Sequence, residues 1–170
     1  KNDIRIIDVG GGDGALAEFL IKKGLSVDVY EKSSSCINFI RNQEIFASNN
    51  LSDFTTNTYD VIMLWHSLEH IHDIEELFRQ FKRIARKDVV MIIATPNSLA
   101  SEIDIFKEKW IAWDVPRHLY HFNYKTLKLI TEKYGWKVIS RQKISQDMFF
   151  NIYSSIKRTI ILKLVLFIFI

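Results

Sequence analysis

Apolar positions recur with two different spacings along the N-terminal part of the chain. Short apolar runs have the length of buried strands, and they cover residues 4–9, 25–30, 59–65 and 88–97. The segments between them carry apolar side chains at helical spacing, over residues 15–23, 34–42 and 74–85. A further short strand is predicted near residues 45–47. Strands that alternate with helices predict a doubly wound α/β fold, in which a mostly parallel sheet carries helices on both faces and binds ligands at the carboxyl ends of its strands.

A glycine-rich loop joins the first predicted strand to the first predicted helix. Four of the six glycines fall within residues 10–14, which read Gly-Gly-Gly-Asp-Gly. Glycine permits positive φ and lets a ligand approach the backbone, while the N–H groups at the helix start face outward. Gly10, Gly12 and Ala15 satisfy the dinucleotide fingerprint G-x-G-x-x-G/A, and Glu31 follows near the distance expected for an acceptor of ribose hydroxyls. The loop therefore predicts a ligand that contains a nucleoside.

The acids around the glycines separate two classes of ligand. Asp8 and Asp13 would repel a pyrophosphate, whereas they attract a ligand with an ammonium and a sulfonium group. S-adenosylmethionine has both cations, together with a ribose for Glu31 and a carboxylate for the helix N-terminus, and we predict it as the cofactor. The alternative is an NAD(P)-dependent oxidoreductase or epimerase on the same fingerprint. That class uses a Tyr-x-x-x-Lys pair or a similar hydride site, a spacing that "YHFNYK" at residues 120–125 does not offer.

Composition narrows the setting of this domain. The 170 residues are 48% hydrophobic, which suits one domain with a sizeable core. A single cysteine, Cys36, excludes an internal disulfide and a cysteine metal cluster, so a cytoplasmic location is expected. His66 and His70 lie four residues apart, but two imidazoles alone make a poor metal site, and no metal is predicted. Because no basic stripe interleaved with aromatics marks the predicted catalytic face, nucleic acid is not expected as a substrate.

An ordered set of motifs resembles one family over about residues 4–140. The set comprises "DVGGGDG", an acid after the second strand, "YDVIMLWHSLEHIHD", "TPN" and "WDVPRHLYHFNYKTLKLITEKYGWKV". Together these motifs resemble the class I S-adenosylmethionine-dependent methyltransferases. The broad group in question includes the ubiquinone-biosynthesis O-methyltransferases and many bacterial small-molecule and glycan methyltransferases. The resemblance implies a Rossmann-like methyltransferase fold.

The resemblance also implies roles for individual residues in cofactor binding. Gly10 and Gly12 correspond to the backbone platform beside the methionine moiety, and Asp8 lies near its amino group. Glu31 corresponds to the acceptor of both ribose hydroxyls, and charge-assisted hydrogen bonds of this kind are about twice as strong as neutral ones. Trp65 would line the pocket around the sulfonium or the adenine, although simple core packing is an alternative for its side chain.

Some features depart from the family pattern. The usual Lys/Arg-Pro-Gly-Gly turn before the fifth strand is replaced by "ARKDVV". The acid that commonly precedes the adenine-contacting hydrophobe is replaced by Asn50-Leu51, or displaced to Asp53. Asn50 and Leu51 are therefore the predicted adenine contacts. The helices that lead into the first strand in the family are missing, so part of the lid is expected to lie outside this chain.

Methyl transfer to a hydroxyl needs a group that takes the proton, and histidine suits this task. The candidate bases are His66 at the end of the fourth strand and His118 and His121 in "WDVPRHLYHF", residues 113–122. In the same segment Arg117 is a candidate for binding an anionic substrate. We predict methylation, with oxygen as the expected acceptor atom, of a small-molecule, glycan or lipid-linked acceptor. The alternative readings are a plain connector at 113–122 and a methyltransferase-like binding domain without activity.

The C-terminal segment differs in charge from the rest of the chain. Residues 137–170 contain one acid, Asp147, and six basic residues: Lys137, Arg141, Lys143, Lys157, Arg158 and Lys163. We predict a methyltransferase domain over residues 1–145 and a basic, apolar tail over 146–170. One expectation for the tail is peripheral contact with an anionic membrane, with an exposed patch formed by Leu164, Phe167 and Phe169. The other is packing on the sheet or on a second subunit, and no oligomeric state is predicted.

Overall fold

A computed structural model describes the backbone of residues 4–168 and the side chains of residues 4–158. The chain divides into two compact units, the first ending at Thr95 and the second beginning at Pro96. The predicted division into residues 1–145 and 146–170 stays a prediction.

The first unit is built on a parallel sheet of five strands. In chain order these are β1 Arg5–Val9, β2 Ser26–Tyr30, β3 Ala47–Ser48, β4 Tyr59–Trp65 and β5 Ala85–Ala94. Their order across the sheet is β3-β2-β1-β4-β5, and every described pairing is parallel. The predicted mostly parallel sheet is confirmed. The strand order reverses between β1 and β4, which is where doubly wound folds open a ligand crevice.

Three helices cover this sheet: α1 Ala15–Lys22, α2 Ser34–Arg41 and α3 Ile74–Ile84. The chain moves outward from β1 in one direction through α1 and α2, and outward from β4 in the other direction through α3. Because such crossovers are right-handed, the opposite directions place α3 on the face away from α1 and α2. The cluster on the α1 and α2 face includes Val29, Ala17 and Ile40. The α3 face buries Phe78 and Phe81, so both faces are covered by apolar side chains, as predicted.

The end of α3 and the start of β5 differ from the prediction. The helix was expected to reach Ala85, with a turn before a strand that begins at residue 88, whereas β5 begins at Ala85 directly after α3. The pairing with β4 shifts in register between its first two contacts, from Tyr59↔Ala85 to Val61↔Val90. A bulge of this kind takes up the extra residues, so the family's glycine turn is not needed here.

The described residues of the second unit form helices and turns. Its helices are α4 Glu102–Phe106, α5 Tyr124–Lys133 and α6 Ser145–Ile168. A capping box begins α5, because Asn123 accepts a hydrogen bond from the Thr126 N–H and Thr126 accepts one from the Asn123 N–H. Most of the predicted tail, residues 146–170, belongs to α6, but the side chains of its expected exposed patch, Leu164, Phe167 and Phe169, lie outside the described residues. Within the described part of the chain, no helix is long and apolar enough to cross a membrane.

Candidate functional site

The glycine loop leaves β1 through three residues with positive φ. Gly10, Gly12 and Gly14 have φ values of 76°, 58° and 82°, a region that side chains with a Cβ rarely adopt. The Gly10 N–H donates to the Tyr30 carbonyl at 2.7 Å, which ties the start of the loop to the end of β2. The glycine run predicted from the sequence is therefore required by the backbone itself.

The glycines differ in what surrounds them. A Cβ on Gly10 would lie 2.5 Å from the Cβ of Ser67, and one on Gly11 would lie 2.6 Å from Val29 Cγ1. A Cβ on Gly12 would meet nothing within 4 Å. Gly10 and Gly11 thus allow close packing of the loop on the sheet. Gly12 faces open space, which leaves room for a ligand beside its backbone.

Glu31, at the end of β2, holds this loop in place. Its Oε2 accepts a hydrogen bond from the Gly12 N–H at 2.9 Å, and its Oε1 accepts one from the Ser33 N–H at 2.8 Å. A carboxylate oxygen has a second acceptor site, so both oxygens can also receive ribose hydroxyls. The sequence indicated only the ribose role. The spacing between Gly12 and Glu31 predicted the ribose acceptor, which stays a prediction, and gave no sign of the direct hydrogen bond between the two residues.

Asp8 lies under the glycine loop and is 2% exposed. Burial, together with the nearby negative charge of Glu31, raises the pKa of Asp8 to about 6. Its buried Oδ2 accepts no hydrogen bond from the described residues. A cation placed beside this carboxyl stabilises its ionised form, whereas a pyrophosphate does the opposite. These groups therefore fit the ammonium of S-adenosylmethionine and disfavour a dinucleotide.

The predicted adenine contacts follow β3. The Glu31 N–H donates to the Ser48 carbonyl at 3.0 Å, which places the end of β3 beside the end of β2. Asn50 uses its side-chain oxygen to accept from the Ser52 N–H at 3.1 Å and so begins the short turn Leu51–Asp53. Leu51 is buried. Both residues lie at the carboxyl edge of the sheet, and their contact with adenine stays a prediction.

Trp65 ends β4, and His66 follows directly after it. The Trp65 side chain is 42% exposed, so the alternative that it packs in the core is wrong. His66 has a φ of 51°, and its N–H donates to the Ala94 carbonyl at 2.9 Å. Residues in this region of φ carry strain of about 1–3 kcal/mol and cluster at functional sites. The strand tip therefore holds His66 in a fixed, unusual conformation.

A buried acid stands beside His66. The Nδ1 of His66 lies 3.6 Å from Oε1 of Glu69, whose side chain is 1% exposed. Glu69 belongs to the short helical turn Leu68–His70. It lies three positions after His66 in the sequence. A carboxylate next to Nδ1 favours the proton on that nitrogen and leaves the lone pair on Nε2. This arrangement is the one a general base needs.

His118 and His121 belong to the second unit, where carbonyl oxygens hold both rings. The Nδ1 of His118 is 2.8 Å from the Ala112 carbonyl, and the Nε2 of His121 is 2.9 Å from the Trp113 carbonyl. Because a carbonyl only accepts, each of these nitrogens carries the proton in the neutral ring. The His118 Nε2 is also 3.9 Å from an Asp114 oxygen. The two rings are 6.4 Å apart, so they form one local group.

Several other side chains of residues 113–122 either pack against a neighbouring ring or form an ion pair. Phe122 is buried and stacks with Tyr120 at 5.7 Å, as the connector reading expects. Arg117 pairs with Asp114 at 3.2 Å, so the predicted anion ligand already has a partner. The segment is thus partly structural, and its histidines remain candidates.

Ser67 is the residue of the site that sequence reasoning missed. It is 4% exposed, its Cβ faces Gly10, and its Oγ has no hydrogen-bond partner among the described residues. Its position directly after His66, at a strand tip that faces the glycine loop, was the available signal.

Comparison with known proteins identifies the family. A family model described as a methyltransferase domain matches residues 1–141, and the chain belongs to this family. A curated relative is the ubiquinone biosynthesis O-methyltransferase of Pelagibacter ubique (strain HTCC1062), 27% identical over 105 residues that cover 56% of this chain and 43% of the relative. The chain thus spans less than half the length of that relative.

Solved structures share the fold. A SAM dependent methyltransferase from Archaeoglobus fulgidus has a TM-score of 0.63 at 20% identity, with coverage of 93% of this chain and 80% of that chain. The phosphoethanolamine N-methyltransferase 2 of Haemonchus contortus, in complex with S-adenosyl-L-methionine, has a TM-score of 0.65 at 17% identity, with coverage of 93% and 39%. The predicted methyltransferase family and its Rossmann-like fold are confirmed, and the Haemonchus contortus neighbour is solved in complex with the cofactor that we predict for this chain.

Proposed function

We propose that this chain transfers a methyl group from S-adenosylmethionine to a hydroxyl of a small-molecule acceptor. The observation that carries the proposal is the bond between Glu31 and the Gly12 N–H, at the carboxyl ends of β2 and β1. This bond fixes a loop that has open space beside Gly12. Three groups of the protein then match three groups of one ligand. The backbone N–H groups match the carboxylate of S-adenosylmethionine, Glu31 matches its ribose hydroxyls, and the buried Asp8 matches its ammonium.

In this proposal each part of the cofactor has a partner among the residues of the site. Asp8 would hold the amino group, Glu31 the ribose hydroxyls, and Asn50 and Leu51 the adenine. Trp65, exposed at the end of β4, would wall the pocket from water. When bound, the cofactor supplies an activated methyl group on its sulfonium, so the protein needs only to orient the acceptor and to remove its proton.

His66 is the favoured base among the three histidines. In this proposal the His66 Nε2 would take the proton of the acceptor hydroxyl, while bound S-adenosylmethionine would supply the methyl group and leave as S-adenosylhomocysteine. Glu69, 3.6 Å from Nδ1, stabilises the imidazolium that results. His118 and His121 are the alternatives, and each already uses one ring nitrogen on a carbonyl.

Oxygen is the proposed acceptor atom because the curated relative is an O-methyltransferase. Glycans and lipid-linked molecules are included among the proposed acceptors. A cytoplasmic location is also part of the proposal, since a single cysteine suits a reducing compartment.

The test is transfer of a labelled methyl group to paired acceptors that differ only in the reacting atom, such as phenols and the matching anilines. We expect labelled phenol ethers, together with release of S-adenosylhomocysteine. Label on the anilines alone would move the reaction to nitrogen. Binding of the cofactor without transfer to any acceptor in the panel would support the binding-domain alternative.

A further inference from the structure

Helix α6 has one face fixed to its own unit. Ser155 is fully buried, and its Oγ accepts a hydrogen bond from the Ile111 N–H at 2.9 Å. Ile111 begins the short turn Ile111–Trp113, which follows the buried Trp110. The helix is therefore anchored on the Ser155 side.

The other side of α6 exposes large apolar side chains. Phe149, Tyr153 and Ile156 recur at the spacing of one helical face, and Phe150 lies next to them. Their exposed fractions are 66% for Phe149, 66% for Phe150, 64% for Tyr153 and 46% for Ile156. We call these four residues the α6 apolar row. Single exposed apolar residues are ordinary, but several on one face mark an interaction surface.

Positive charge accompanies the α6 apolar row. Lys157 and Arg158 are both exposed, and the Lys157 Nζ lies 5.9 Å from the centre of the Tyr153 ring. Arg141 and Lys143, just before the helix, are exposed as well. Among the described side chains from residue 137 onward, Asp147 is the only acid. We therefore expect a partner that has negative charge at its surface and an apolar layer below that charge.

We propose that the α6 apolar row docks on the surface of a membrane that contains anionic phospholipids. Helices that lie in this interface combine aromatic and aliphatic side chains with lysine and arginine, as α6 does. Aromatic rings settle at the level of the headgroups, and the basic residues are attracted to the anionic ones. Docking concerns the second unit alone and holds whether or not the first unit transfers a methyl group.

The experiment is co-sedimentation of the full chain with phosphatidylcholine vesicles, with and without phosphatidylglycerol. We expect binding to the anionic vesicles and at least about tenfold weaker binding to the neutral ones, with the difference lost at high salt. Equal partitioning to both vesicles, or no binding to either, overturns the proposal without the need for any variant.

Two sets of variants locate the surface. Phe149→Ser, Phe150→Ser and Tyr153→Ser together should lower binding to the anionic vesicles by about tenfold or more. The matched control replaces three apolar residues of the same unit that are at least as exposed: Leu99, Ile105 and Ile139, with exposed fractions of 74%, 73% and 77%. Equal loss in both triple variants would contradict a role for α6.

The second set of variants tests the role of the basic residues beside the α6 apolar row. Lys157→Glu with Arg158→Glu should weaken binding to anionic vesicles, whereas Lys125→Glu with Lys133→Glu, on the exposed side of α5, should not. A second copy of the chain is the competing occupant. If sedimentation equilibrium shows a dimer that the Phe149, Phe150 and Tyr153 substitutions dissociate, the surface is a protein interface and the proposal is wrong.

Discussion

The glycine loop of the first unit and the histidine segment 113–122 of the second hold their polar groups in opposite ways. In the loop, backbone N–H groups reach an acid and a carbonyl, and the space beside Gly12 stays open. In the segment, backbone carbonyls take up one ring nitrogen each of His118 and His121. Backbone geometry thus leaves space for a ligand beside the loop, whereas each of these histidines already uses one ring nitrogen to bind the local backbone.

The largest effect expected from this comparison concerns the base. His66→Ala should lower kcat by about 10²–10⁴, the contribution of general base catalysis, while cofactor affinity is unchanged. His72→Ala, an exposed histidine near the same strand tip, is the control. Turnover measured with saturating cofactor checks this prediction. If His118→Ala or His121→Ala lowers kcat while His66→Ala does not, the base belongs to the second unit.

Close packing under the loop predicts a large loss of stability. Gly10→Ala should lower the free energy of unfolding by about 2–4 kcal/mol, since its Cβ overlaps Ser67 and its φ of 76° is strained. Gly24→Ala has a similar φ of 85° but nothing within 4 Å, so it should lose about 1–2 kcal/mol from strain alone. Urea unfolding of both variants separates overlap from strain. Equal losses would remove the close contact with Ser67 from the account.

The ribose acceptor predicts an intermediate effect on binding. Glu31→Ala should weaken cofactor binding by about 1.5–3 kcal/mol, the range for hydrogen bonds to a charged group. Part of this loss comes from release of the Gly12 N–H, which Glu31 also binds. Calorimetric titration checks the value, with Glu18→Ala, an exposed acid on α1, as the control. An unchanged affinity for Glu31→Ala would end the assignment.

The smallest effect is a dependence of cofactor affinity on pH. Because the pKa of Asp8 is raised to about 6, the carboxyl is ionised above that pH and protonated below it. An ammonium group binds the ionised form, so affinity should fall about tenfold between pH 7 and pH 5, one pH unit below the pKa. Titrations at both pH values check this, and Asp8→Asn should flatten the profile. A wild-type profile that is already flat would place the amino group elsewhere.

The same carboxyl links pH to stability, with a sign fixed by its raised pKa. Between about pH 4 and pH 6 the folded chain keeps a proton on Asp8 that the unfolded chain has lost. The Asp8 contribution to stability therefore falls as pH rises through this window and is constant above it. The ligand-free loop is less stable when Asp8 is charged, which is the condition that a cationic ligand relieves.

Much of the first unit was predictable because its signals are local. The period of apolar residues indicated the strands, and the spacing from Gly12 to Glu31 indicated the ligand edge. The start of β5 at Ala85 was missed because it depends on a bulge against β4, which no local pattern shows. Ser67 was missed for a similar reason, since its contact with Gly10 joins two strand tips that are distant in sequence.

The second unit was less predictable because its contacts are set by turns. In His118 and His121, the choice of which ring nitrogen carries the proton depends on the carbonyls of residues 112 and 113. A short helical turn presents these carbonyls. The tail shows the same limit. The exposed patch was expected at Leu164, Phe167 and Phe169, whereas the described exposed row begins at Phe149.

The central claim is that the glycine loop with Glu31 and Asp8 binds S-adenosylmethionine and not a dinucleotide. Calorimetric titration of the wild-type chain with S-adenosylhomocysteine and, separately, with NAD tests it most directly. We expect binding of S-adenosylhomocysteine at one site per chain and no measurable heat with NAD. Binding of NAD without binding of S-adenosylhomocysteine would contradict the claim, whatever the outcome for the acceptor or the membrane.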